Sequence, residues 1–146
     1  MKIYLGADHR GFELKLTVKD WLSARQTPFE DLGAFEPDPN DDYNDPAIAV
    51  AEAVRQNPNS RGILICGSSY GACIQANRFK GIRAISGFTP ELAQHARSND
   101  DANVLCLDAD SKSSDHQAII DIFLDTDFLA TENYLRRSKK LDQEYP

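Results

Sequence analysis

At 146 residues with 41% hydrophobic composition, the chain is long enough for one domain with a core that needs no covalent staples. Its formal net charge is -7 and its longest basic run is Arg136-Arg137-Ser138-Lys139-Lys140, which argues against tracking a nucleic-acid backbone. No apolar run approaches bilayer-spanning length, so a membrane protein is not expected either. The three cysteines, Cys66, Cys73 and Cys106, are odd in number and set among apolar residues. With an N-terminus that runs straight into a strand pattern rather than a signal peptide, they point to a reducing, cytoplasmic setting.

Short apolar runs alternate with helix-period segments, the pattern of a parallel sheet with crossover helices. Ile3-Tyr4-Leu5 reads as the first strand and stops at Gly6-Ala7-Asp8. A helix follows with Leu14, Val18, Trp21 and Leu22 on one face, then a short strand near Pro28-Phe29-Glu30. The Pro-, Asp- and Asn-rich stretch 33–45 reads as a loop, and a helix through Ile48, Val50, Ala51 and Val54 ends near Asn57-Pro58. Ile63-Leu64-Ile65-Cys66 is the clearest strand, apolar throughout and so buried on both faces. It breaks at Gly67-Ser68-Ser69-Tyr70-Gly71, and a short helix carries Ala72 to Asn77. Ile82 to Ser86 is the fourth strand, Thr89-Pro90-Glu91 opens a helix, and Val104 to Leu107 is the fifth strand. A helix through Ala118, Ile119, Ile122 and Phe123 and a polar helical tail from Thr131 complete a single domain, 1–146, without repeats.

In open parallel sheets ligands bind beyond the carboxyl ends of the strands. Asp8-His9, the segment from Cys66 to Gly71, and Ser86-Gly87 all belong at that edge, with the loop containing Tyr43 above it. The turn 67–71 aims backbone N–H groups at one spot, which suits an anion or a developing oxyanion and favours a thiolate. The bland alternatives are a buried structural Cys66, and an Asp8 that only caps a helix beside a surface imidazole. The turn is neither a Walker A loop nor a dinucleotide fingerprint. The cysteine and histidine spacings show no metal site.

Gly6-Ala7-Asp8-His9-Arg10-Gly11-Phe12-Glu13-Leu14-Lys15 strongly resembles the opening of the family that holds ribose-5-phosphate isomerase B and the galactose-6-phosphate isomerase subunits. Three further blocks follow in order: Asp42-Tyr43, then 62–71 through 77–84, then Asn99 to Leu105. The resemblance implies a three-layer α/β/α fold with a five-stranded parallel sheet, and a homodimer, or dimer of dimers, with active sites between subunits. It implies aldose–ketose isomerisation of a pentose or hexose, phosphorylated or not, with no cofactor and no metal. Carried over by position, Cys66 is similar to the base that moves the proton between C1 and C2. Ser68 stands at the usual Thr as hydroxyl donor, and Asp8 at a ring-opening residue. His9 matches part of the phosphate grip and Tyr43 a sugar-site residue, while Gly67, Ser69, Tyr70 and Gly71 form the turn that steadies the enediolate. Asn99 and Asp100 precede the fifth strand, opposite their own pocket, so they reach a neighbour's pocket more easily. The tail 131–146 with Arg136 is expected to pack on a partner in the same way.

Three departures from the family pattern stand out. Its ring-opening histidine falls at Asn99, which cannot shuttle a proton near neutral pH, with His95 one helical turn earlier. Family arginines fall at Asp110, Glu132 and Arg136, so two of three cations are replaced by carboxylates; Arg10, Lys112 and Arg137 are the candidates to substitute. Ser69 for a usual Gly and Tyr70 for a small residue are expected to narrow the anion-hole mouth. A rival to the enzyme reading is therefore a non-catalytic sugar or sugar-phosphate binding protein, or an inactive subunit of a hetero-oligomer.

Overall fold

The structure is a computed structural model that describes residues 1–112 and 115–143. Within them five strands, β1 (Ile3–Ala7), β2 (Phe29–Asp31), β3 (Arg61–Cys66), β4 (Ala84–Ser86) and β5 (Val104–Asp108), form one sheet in the order β2-β1-β3-β5-β4. Every pairing is parallel. Six helices accompany them: α1 (Phe12–Ala24), α2 (Asn44–Gln56), α3 (Tyr70–Ala76), α4 (Pro90–Asp100), α5 (His116–Asp125) and α6 (Glu132–Leu141). The expected three-layer α/β/α architecture with a five-stranded parallel sheet is the one observed. Residues 144–146 of the expected tail lie outside the described residues.

Alternate residues of the inner strands enter opposite layers, as the period of two requires. Ile3, Leu5, Ile63, Ile65, Leu105 and Leu107 pack with Val18 and Leu22 of α1, Ala93 of α4 and Ile119 and Phe123 of α5. Tyr4, Leu64, Cys66, Val104 and Cys106 pack with Val50, Ala51 and Val54 of α2 and Ala72 and Ala76 of α3. Cys66 and Cys106 therefore share one face of the sheet.

Element boundaries differ from the sequence reading where side chains replace backbone partners. β4 is shorter than 82–86 because the Arg83 N–H donates to Asn103 Oδ1 at 2.8 Å. The Asn77 amide clamps the strand's first residue, accepting from the Ala84 N–H and donating to the Ala84 carbonyl, both at 2.8 Å. α3 starts two residues early, at Tyr70, because Ser69 takes a left-handed φ of 69° and turns the chain at once. Among the described residues, no helix is long and apolar enough to cross a membrane.

One polar residue of α1 is wholly buried. Lys15 is 0% exposed; its ammonium meets Asp31 Oδ1 at 2.8 Å, donates to the Ala34 carbonyl, and lies 5.5 Å and 5.7 Å from the Phe12 and Phe35 ring centres. Lys19 holds the other Asp31 oxygen at 2.8 Å. This network ties α1 to the loop that follows β2. Breaking it by Asp31→Ala leaves a buried ammonium without its counter-charge, and the loss of unfolding free energy is expected to be about 3–5 kcal/mol. Urea titration checks this, and a loss below about 1 kcal/mol would contradict it.

Candidate active site

Because all five strands run parallel, the ends of β1, β3 and β5 deliver their next residues to one edge. Asp8 leaves β1 with its N–H on the Ile65 carbonyl at 3.3 Å, and its carboxylate accepts from the Gly11 N–H at 2.9 Å. Capping and chemistry are thus compatible in one side chain. Burial pushes the Asp8 carboxyl above its ordinary value; the Gly11 N–H and the neighbouring His9 pull the other way and lose.

His9 is held by a residue the sequence reading passed over. Asp41 Oδ1 accepts from the His9 backbone N–H at 3.1 Å and meets His9 Nδ1 at 2.6 Å. That places a proton on Nδ1 and leaves Nε2 for a ligand. The one signal in the sequence was the Asp41-Asp42 doublet in a loop due to hang over the strand ends. The second Asp41 oxygen is buried without a hydrogen-bond partner among the described residues.

Cys66 ends β3 with 4% of its surface exposed. Burial raises its thiol above the usual value, and the charge of Asp8 adds to that. Hydrogen bonds from the Ala72, Ser69 and Ser68 backbone N–H groups act in the opposite sense. The backbone of the turn and of the start of α3 therefore favours the thiolate against burial. Ser68 is exposed beside it.

Ser69 and Tyr70, the two residues expected to narrow the mouth, are placed differently from each other. Ser69 is 0% exposed and its hydroxyl donates to Ser86 Oγ at 2.9 Å, so its side chain is turned away from solvent. Tyr70 is 58% exposed and lies against Phe88, ring centres 5.7 Å apart. Tyr43, just before α2, covers Gly71, where a Cβ would stand 2.6 Å from Tyr43 Cζ; only glycine fits beneath that ring. Arg10 and Asp110 meet over Gly67, with Nη2 to Oδ2 at 2.5 Å.

The remaining expected site residues lie elsewhere in the chain. Asp100, at the end of α4, borders a hollow with Ile82, Ile85 and Leu141 at the amino edge of the sheet. Asn99 Nδ2 is 2.9 Å from His95 Nε2 on the same helix. Arg136, on α6, donates to Asn133 Oδ1 at 2.7 Å. One chain alone brings Asp8, His9, Tyr43 and residues 66–71 together, without Asn99, Asp100 or Arg136.

A second thiol site went unnoticed in the sequence. Cys73 of α3 is half-buried on Cys106, and the hydrogen bond from that thiol, opposed by burial and helped by Ser86, lowers it to about 7. Asp108, opposite Cys66 in the β3–β5 register, receives His116, whose Nε2 is 3.0 Å from its carbonyl and 3.3 Å from its carboxylate. Among the described residues, no group of three or more His, Cys, Asp or Glu is placed to hold a metal ion.

This arrangement can be set beside known proteins. The sequence pattern of the family described as ribose/galactose isomerase matches residues 3–141. The chain belongs to the ribose/galactose isomerase family. It is 44% identical over 127 residues to the probable ribose-5-phosphate isomerase B of Mycoplasma pneumoniae, covering 86% of this chain and 84% of that one. The crystal structure of a ribose 5-phosphate isomerase from Thermotoga maritima matches with a TM-score of 0.90, at 37% identity and with 97% of each chain covered. Ribose-5-phosphate isomerase B of Mycoplasma genitalium, solved with bound ribulose-5-phosphate, matches equally at 0.90, with 38% identity over 97% of this chain and 93% of that one.

Two measurements test the electrostatics of this ribose/galactose isomerase site. Since the folded Asp8 carboxyl keeps its proton to a higher pH than the unfolded one, stability falls as pH rises from the ordinary value of 3.8 through the raised one. Asp8→Asn keeps an oxygen for the Gly11 N–H and removes that loss. It is expected to raise the melting temperature at neutral pH, with the gain gone below about pH 3 in thermal unfolding. Iodoacetamide at neutral pH is expected to alkylate Cys73 before Cys66, because the thiolate is the nucleophile and Cys66 is both buried and raised. Peptide mass spectrometry reads the order, and first labelling at Cys66 would overturn it.

Proposed function

We propose that this chain is an aldose–ketose isomerase that interconverts ribose 5-phosphate and ribulose 5-phosphate through an enediolate, with Cys66 as the base. The observation that carries this is Cys66 at the end of β3, beside the end of the paired strand β1 that delivers Asp8 and His9 to the same edge. The relatives' names and the ribulose 5-phosphate in the Mycoplasma genitalium structure support the substrate.

The Cys66 thiolate takes the proton from C2 of the open-chain aldose. The C–H electron pair becomes the C1–C2 double bond, and charge passes to O1. The proton on O2 passes to O1. The sulfur returns its proton to C1, where the C1–C2 electron pair takes it up, and the electron pair left on O2 forms the carbonyl at C2. The amides that face the sulfur offset its burial when the thiolate forms. Ser68, exposed at the same place, donates to the enediolate oxygen. Asp8, whose carboxyl burial raises above its ordinary value, is the residue placed to serve ring opening. His9, oriented by Asp41, and Tyr43, resting on Gly71, line the sugar. Gly67, Ser69, Tyr70 and Gly71 provide the turn that shapes this end of the pocket.

The working form is a homodimer, or a pair of such dimers, in the cytoplasm, where the three free cysteines remain reduced. Two observations favour a second copy. Asn99, Asp100 and Arg136 lie away from their own chain's Cys66, so a partner is the route by which they reach a pocket. Tyr70, Ile74, Phe88 and Leu92 expose between 37% and 67% of their surfaces on α3, α4 and the loop after β4. Helix α6 buries none of its own residues and packs on the same partner.

Solvent exchange of the C2 proton of ribose 5-phosphate in deuterium oxide, followed by NMR, tests the activity. The wild-type chain is expected to wash deuterium into both sugars, and Cys66→Ala to lose this by roughly a thousandfold. A protein that only binds sugar exchanges nothing, and undiminished exchange in Cys66→Ala removes the sulfur from the mechanism.

A further inference from the structure

The reaction proposed above needs a cation for the phosphate of its substrate, and the chain carries a net charge of -7 that opposes an approaching dianion. At the Asp8–Cys66 end of the pocket the side chains described above, Asp8, His9, Tyr43, Cys66 and Ser68, include no lysine or arginine. One guanidinium does stand at the mouth. Arg10 follows Asp8 by two residues and lies against Gly67, where a Cβ would be 2.8 Å from its Nε and 3.0 Å from its Cζ. Asp110 reaches the same point from beyond β5: its Oδ2 would be 2.9 Å from that Cβ and accepts from Arg10 Nη2 at 2.5 Å. The Asp110 backbone is tied down as well, its N–H on the Gly67 carbonyl at 3.0 Å and the preceding Ala109 N–H on the Cys66 carbonyl at 2.9 Å. Three loops thus converge on one residue that has no side chain, next in sequence to the proposed base.

Stability does not account for this pair. Its members are 57% and 47% exposed, and ion pairs so open to water contribute little. Anion binding does account for it. A guanidinium carries five N–H donors in a planar fork suited to phosphate oxygens. Asp110 engages one nitrogen, and the other two have no acceptor among the described residues.

We propose that Arg10 grips the phosphate of the substrate, that Asp110 is its positioning residue, and that the bare backbone of Gly67 is the seat on which the guanidinium rests. The β1–α1 loop thereby supplies a cation that selects phosphorylated over free sugars. The identity of the sugar rests on the isomerase reading; the recognition of a phosphate group does not.

Titration calorimetry of the full chain with inorganic phosphate, ribose 5-phosphate and unphosphorylated ribose tests this. Arg10→Gln is expected to weaken both phosphate ligands by at least about tenfold and to leave ribose unchanged, with Arg10→Lys, a point charge without the fork, in between. In an Asp110→Asn background the same Arg10→Gln change is expected to cost less, because an unheld guanidinium no longer rests on Gly67. Equal losses in the two backgrounds overturn the part given to Asp110. Undiminished phosphate affinity in Arg10→Gln overturns the proposal even if isomerisation is intact, and so does a parallel loss of ribose, the mark of a collapsed mouth. A wild-type chain that exchanges no C2 proton but whose phosphate affinity still depends on Arg10 sinks the isomerase reading and leaves the grip standing.

Discussion

A sulfur taken out of water at the end of a buried strand can act as a base only where something replaces the lost solvation. At Cys66 burial raises the thiol, and the amides of Ser68, Ser69 and Ala72 are what offsets it. The chain reverses sharply at Ser69 and starts α3 at once, which keeps this backbone next to the end of β3. The left-handed Ser69 is locked by burial and by its bond to Ser86, which ties the turn to the end of β4. The left-handed turn, the neighbouring strand and the setting of the Cys66 thiol are therefore linked.

A second set of contacts holds the other half of the pocket. Lys15 reaches from α1 to Asp31 and Ala34 and so anchors the start of the loop that carries Asp41. Asp41 in turn sets the orientation of His9. A buried ammonium inside a helix otherwise packed through Val18 and Leu22 is costly unless paired, and the pair it forms serves a loop rather than the core. Arg10 and Asp110 make a comparable link across Gly67. In each case a charged side chain from one strand end fixes a loop from another.

Charge is distributed to match. The chain is acidic overall, and the cation at the pocket mouth is one residue held in place rather than a field. The opposite edge has its own polar cluster, with Arg83 bridging Asp101 and Asp142 at 2.8 Å and 3.0 Å. That cluster joins the ends of α4 and α6 and keeps Asn99 and Asp100 at the amino edge, across the sheet from Cys66.

Alternating apolar runs and helix-period segments were enough to read a parallel α/β sheet, since strand burial and helix faces are written in local periodicity. The order of strands and loops was enough to place Asp8, Cys66 and the turn after it at one edge, because parallel strands end together. Which side chains meet across loops was not legible, for contacts such as Asp41 with His9, Lys15 with Asp31, and Arg10 with Asp110 join residues 16 to 100 positions apart. The inward direction of the Ser69 side chain was not legible for the same reason: residue type gives size, while a left-handed φ decides which way the side chain points. Periodicity and strand order determined the framework and the edge at which the candidate residues gather; only long-range packing decided which charges orient them.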